Sequence, residues 1–129
     1  MWIFRNDAFV SVVEDRDMPD QLWARARIKG DLERFFGGAD WLEVLETNDA
    51  DYRFRAAVDR EIVKRALVQA VDQLDYTNFK SSISQDAKGD RRHRAYLRVW
   101  TAMMGWQREE KGIEDQRARR KGKKKGAQS

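Results

Sequence analysis

Residues 22–28, LWARARI, alternate without a break: Leu22, Ala24, Ala26 and Ile28 on one side, Trp23, Arg25 and Arg27 on the other. A period of two is the signature of a strand with one buried face. The same pattern returns at 52–58, YRFRAAV, where Tyr52, Phe54, Ala56 and Val58 oppose Arg53 and Arg55. What lies between these segments decides the fold. Asp31 to Phe36 reads as a short helix stopped by Gly37-Gly38. Trp41 to Thr47 reads as a strand with Leu42 and Val44 on one face, and Asp49 to Asp51 as a turn. After the second arginine strand, Asp59 is placed to cap a helix. Its stripe is Ile62, Val63, Ala66, Leu67, Ala70, Val71 and Leu74. The resulting β-α-β-β-α order is ferredoxin-like, and sets strand 22–28 antiparallel beside strand 52–58.

Upstream, residues 2–5 and 9–14 are β-branched and aromatic, with Asn6-Asp7 between them, and read as a hairpin. The acidic stretch EDRDMPD, with the only proline, links it to Leu22. Downstream, DYTNFKSSIS (75–84) places Tyr76, Phe79 and Ile83 at helical spacing, with Asp75 as a cap and Asn78 and Lys80 pointing outward. After the polar break SQDAKGD, a last helix is expected from about Arg91 to Gln107, with Tyr96, Val99, Trp100 and Met103 on one face. Residues 108–129 show no apolar periodicity beyond Ile113, and their Lys/Gly composition predicts disorder. The expected fold is therefore α+β: an antiparallel sheet of about five strands, helices on one face and two C-terminal helices. A single domain would span residues 1–107 and a basic tail residues 108–129.

The chain has 129 residues, enough to bury roughly two thirds of its unfolded surface. It has no cysteine, which excludes disulfides and thiolate zinc sites and fits a reducing compartment. The opening MWIFRNDAFVSVVEDRD meets Arg5 and Asp7 before any long apolar run, unlike a signal peptide. No stretch is apolar enough to cross a membrane. A cytoplasmic protein is the simplest expectation. The formal charge of +4 divides unevenly. Residues 111–129 hold eight Lys/Arg against Glu114 and Asp115, leaving 18 basic against 20 acidic residues in the remainder. A nucleic-acid surface over the whole domain is not supported by that balance.

The phrases MWIF…FVSVVE, RARIKGDLE, LETNDADYRFRAAV and DYTNFK resemble a set of short bacterial proteins without an assigned function. The likeness spans roughly residues 1–104 and omits the lysine-rich tail. It implies one intact domain and no particular chemistry.

Catalytic signatures are missing. His93 is the only histidine, set between Arg92 and Arg94, and no serine lies in G-x-S-x-G. One histidine and no cysteine leave little for a transition metal. Asp49 and Asp51 fall short of a calcium loop and suit a turn. Gly37-Gly38 is no phosphate-binding loop. A non-enzymatic module without cofactor or metal is expected, acting through a macromolecular partner.

Three constellations remain. Tyr76, Asn78, Phe79 and Lys80, with Trp100 and Trp106, would form a protein-docking edge, although a core stripe is the simpler account of the Tyr76–Ile83 segment. Arg25, Arg27, Arg53 and Arg55 would share one sheet surface. Either Glu43, Glu46 or Glu14 neutralises them, which is the simpler account, or they meet an anion, with Trp23 available for stacking. The tail cations Arg119, Arg120, Lys121, Lys123, Lys124 and Lys125 suit phosphate contacts without sequence preference. A protein partner is the first expectation, and nucleic-acid binding through the tail and the strand arginines the second.

Overall fold

The computed structural model describes residues 1–128. It divides into two compact units, residues 1–84 and the chain from Gln85 onward. The first unit is a five-stranded antiparallel sheet with two helices. Its strands are β1 (Trp2–Phe4), β2 (Phe9–Glu14), β3 (Gln21–Ala26), β4 (Leu45–Glu46) and β5 (Phe54–Asp59), in the order β1-β2-β3-β5-β4. The α+β fold, and the antiparallel pairing of the two arginine strands, are those the alternation implies.

Register puts the apolar half of each strand on one face. Leu22 lies opposite Val58, Ala24 opposite Ala56, and Ala26 opposite Phe54. Val12 lies opposite Ala24 on the other flank, and Ile3 opposite Val10. Helices α1 (Asp31–Phe35) and α2 (Arg60–Asp72) close this face with Leu32, Phe35, Val63 and Ala66. Small Ala24, Ala26 and Ala56 under large Phe35 and Phe54 let the layers interdigitate.

Several boundaries depart from the sequence pattern. β3 ends at Ala26, so Ile28 leaves the core face and is exposed. The reason is the turn that follows: Asp31 N–H donates to the Ile28 carbonyl, and Gly30 adopts a left-handed φ of 92°. Residues 41–44 keep the expected sidedness, with Leu42 and Val44 packed on the core, yet only Leu45 and Glu46 pair as a strand. Periodicity reports which face is buried; a ladder also needs a neighbour within reach, and at this sheet edge only β5 offers one. In α2 the stripe is buried at Val63 and Ala66 and partly at Ile62 and Leu67, whereas Val71 is exposed, as is Leu74, which lies past the end of the helix. Asp59 occupies the N-cap position but its side chain makes no cap bond.

The segment 75–84 forms only a 3₁₀ turn, Lys80–Ser82, in place of the first expected C-terminal helix. Asp75 does not cap it; Phe79 holds the N-cap position, and Asn78 Oδ1 accepts from Ser81 N–H at 3.0 Å and from Ser81 Oγ at 3.1 Å.

The second unit is one helix, α3 (Ala87–Ala127), 41 residues and about 60 Å long. It starts inside the polar stretch read as a break, because Asp86 is an N-cap accepting from Gly89 N–H at 2.7 Å. It also runs through residues 108–127, for which composition predicts disorder. Low apolar content forbids a core there, but Arg, Lys, Glu, Gln and Ala are strong helix formers. Lys111 and Asp115 add an i,i+4 ion pair, and Lys124 and Lys125 complement the negative end of the helix dipole. No helix among the described residues is long and apolar enough to cross a membrane.

Candidate functional site

The sheet has a second face, opposite the helices. Strand alternation sends Trp2 and Phe4, Phe9, Ser11 and Val13, Trp23 and Arg25, and Arg55 to it. One cross-strand row runs Trp2, Ser11, Arg25, Arg55, Leu45, each residue opposite the next. Beside it, Phe9 stacks on Phe4 with centroids 4.5 Å apart and meets Trp2 edge-on at 5.9 Å.

The four strand arginines come together as the antiparallel pairing requires, and then divide. Arg53 donates through Nε and Nη2 to Glu46 Oε1, at 2.9 and 2.6 Å. Arg27 reaches Asp51 Oδ1 at 3.0 Å and the Asp51 carbonyl at 2.8 Å. That hydrogen bond holds the Arg27 guanidinium above its ordinary pKa. Glu46 was a candidate neutraliser in the sequence and Asp51 was not. Asp51 was read as a turn residue, and only the register of β3 against β5 carries it to Arg27. Among the described residues neither Glu43 nor Glu14 forms an ion pair.

Among the described residues no carboxylate pairs with Arg25 or Arg55. They lie directly opposite each other. Arg25 donates from Nη2 to Ser11 Oγ at 2.9 Å and sits over the Tyr52 ring, 4.3 Å from its centroid. Arg55 lies over Trp23 at 5.9 Å. The Nε atoms of both are buried without an acceptor. The expected neutralisation therefore covers one half of the arginine face and leaves the other half uncompensated.

A further charged residue that the pattern marked only as a helix start is Asp31, fully buried. It accepts from Phe9 N–H at 2.9 Å and pairs with Arg34, whose Nε donates to the Asp7 carbonyl at 2.7 Å. This clamps α1 to the β1–β2 turn and is a structural device.

The expected docking residues also divide. Tyr76 and Phe79 are half-buried, their centroids 6.1 Å apart, and Asn78 Oδ1 is taken up by Ser81 of the 3₁₀ turn. Lys80 is half-buried within that turn. On α3 Tyr96 is buried, whereas three bulky residues further along reach solvent: Trp100 is 46%, Met103 54% and Trp106 56% exposed. With Met104 and Gln107 they line a shallow hollow of about 280 Å³ on the helix surface. Trp106 Nε1 donates to Glu110 Oε1 at 3.2 Å, one turn on. The cations Arg119, Arg120, Lys121, Lys123, Lys124 and Lys125 are exposed on the last turns of the same helix. At 100° per residue they ring the helix and do not form a face. Among the described residues no group of three His, Asp or Glu side chains is arranged to hold a metal ion.

The fold and these surfaces describe an α+β protein with an exposed aromatic helix and an arginine-bearing sheet face. No family model, no curated protein and no solved structure matches the chain.

Proposed function

We propose that the protein is a non-enzymatic binding module that engages another protein through the exposed apolar side of α3. One observation carries this reading. In a helix of 41 residues only Gly89 and Tyr96 are buried, while Trp100, Met103 and Trp106 cluster in water. Helices in proteins owe most of their stability to the packing of an apolar face. Gly105, Gly112, Gly122 and Gly126 each weaken this one by about 1 kcal/mol relative to alanine. A groove that covers the Trp100–Trp106 patch would supply what the helix lacks, by the mode in which an amphipathic helix lies in an apolar cleft. Trp and Met anchors suit such a contact. The partner is expected to carry acidic residues beside that cleft, since Arg117 to Lys125 contribute seven cations and no acid.

The test is a photo-crosslinker at Met103 of the full chain, used in living cells. A discrete crosslinked adduct with another protein, lost in Trp100→Glu and Trp106→Glu variants that retain their circular dichroism, is the expected result. Crosslinks confined to a second copy of the chain would replace the reading with self-association.

The cation run itself favours a second reading, polyanion binding by the end of α3. If all seven cations contact phosphates of a single strand, log affinity should fall with log salt at a slope of about −5.

A further inference from the structure

We infer that Arg25 and Arg55 form a phosphate-binding site that takes a single-stranded nucleic acid across the sheet face opposite α1 and α2. The inference rests on the sheet alone and not on the α3 reading.

Like charges directly opposite each other on neighbouring strands destabilise the pair. Arg25 and Arg55 occupy that relation. Their neighbours Arg27 and Arg53 are relieved by Asp51 and Glu46, so carboxylates are within the fold's means. None serves this central pair. Each guanidinium also buries an Nε–H that no acceptor meets, a further cost. Strand propensity offers no reason for arginine here, since Thr or Val would suit both positions better. An oxoanion placed between the two guanidinium groups relieves the repulsion, although the buried Nε–H groups lie out of its reach. It supplies acceptors in the forked geometry that arginine recognises, and screens the repulsion.

The surroundings select the phosphate of a nucleic acid strand over a bare anion. Trp2, in the same cross-strand row, is 64% exposed and two strands from Arg25, about 10 Å away. The Phe4–Phe9 stack flanks the row on one side, where the buried Tyr52 ring is already covered by Arg25 and Arg27, and Trp23 flanks it on the other. Bases stack on such rings and on guanidinium planes without regard to sequence. A duplex hides its bases, so it would use the cations and waste the rings. Ser11 Oγ, which accepts from Arg25 Nη2, restrains that guanidinium.

The experiment uses the full chain with nitrogen-15 labelling. Hexauridylate, uridine monophosphate and inorganic phosphate are titrated separately while the Arg25 and Arg55 Nε–H and the Trp2 and Trp23 indole N–H signals are followed. Saturable shifts in these signals with hexauridylate are expected. Affinity should weaken at least tenfold in Arg55→Gln and in Arg25→Gln, and fall also in Arg55→Lys, which keeps the charge and loses the fork. The melting temperature of Arg55→Gln should be unchanged or higher, since a repulsion has been relieved. Four results would overturn the inference: shifts confined to residues 108–128, glutamine variants that bind as the parent does, a melting temperature that drops while binding persists, or uridine monophosphate bound as tightly as the hexamer.

Discussion

The two units treat apolar surface in opposite ways. In residues 1–84, period-two alternation and a 3.6-residue stripe aim the apolar side chains at one layer, and fourteen buried residues form a single cluster. In α3, the bulky apolar residues between Trp100 and Ile113 stay largely in solvent. Charge divides less cleanly. In the first unit Arg27 and Arg53, at the ends of β3 and β5, each have a carboxylate partner and Arg34 of α1 is tied to a buried aspartate, while Arg25 and Arg55 have none among the described residues. On the last turns of α3 cations follow one another without an acid. The comparison teaches that the first unit is held by tertiary contacts and most of the second by local helix energetics.

That contrast can be broken most directly by cutting one large side chain from each unit. Phe35 is buried within the cluster, so Phe35→Ala should cost about 4 kcal/mol in chemical denaturation. Met103→Ala, a truncation at an exposed site, should stay within about 0.5 kcal/mol of the parent. Similar losses for both would mean that the helical unit has a packed interior after all.

A smaller and opposite effect is expected in α3. A Cβ at Gly112 meets no atom within 4 Å, so Gly112→Ala should stabilise the helix by about 1 kcal/mol. Increased ellipticity at 222 nm on heating would register it. The gain should vanish if partner packing, and not propensity, already governs that turn.

The smallest effect concerns the first turn of α2. The Lys64 ammonium, 2.7 Å from Glu61 Oε1, holds that carboxyl below its usual range. A depressed carboxyl stabilises the fold above its unfolded pKa, and the contribution disappears as pH falls through the folded value. Acidification below about pH 4 should therefore remove it, and Lys64→Met should flatten that part of the stability profile. Because both groups are exposed, the change should also shrink in high salt.

Much of the first unit is legible in the residues. LWARARI and YRFRAAV announce their buried faces by alternation, and the Asp31–Phe36 helix announces its stop at Gly37-Gly38. Legibility fails where a residue's role depends on a distant neighbour. Ile28 alternates correctly but follows the residue where the ladder ends. Val71 and Leu74 continue the α2 stripe past the turns that face the core. Asp51 looks like a turn residue until β3 lies beside β5. The candidate site shows the same limit. The arginines could be placed on one surface from their spacing, but not divided into neutralised and uncompensated pairs. On α3 the exposure of Trp100 and Trp106 was open, since the same stripe fits a core helix.

What the chain order of residue types determined, unaided, is the α+β class, the antiparallel neighbours and the sign of charge at each end, because periodicity and composition are local properties. What only the folded molecule decided is which carboxylate meets which arginine, that residues 108–127 continue a helix, and that an aromatic patch stands in water. Those outcomes depend on register and on the presence or absence of a packing partner, and neither is written in any short window of sequence.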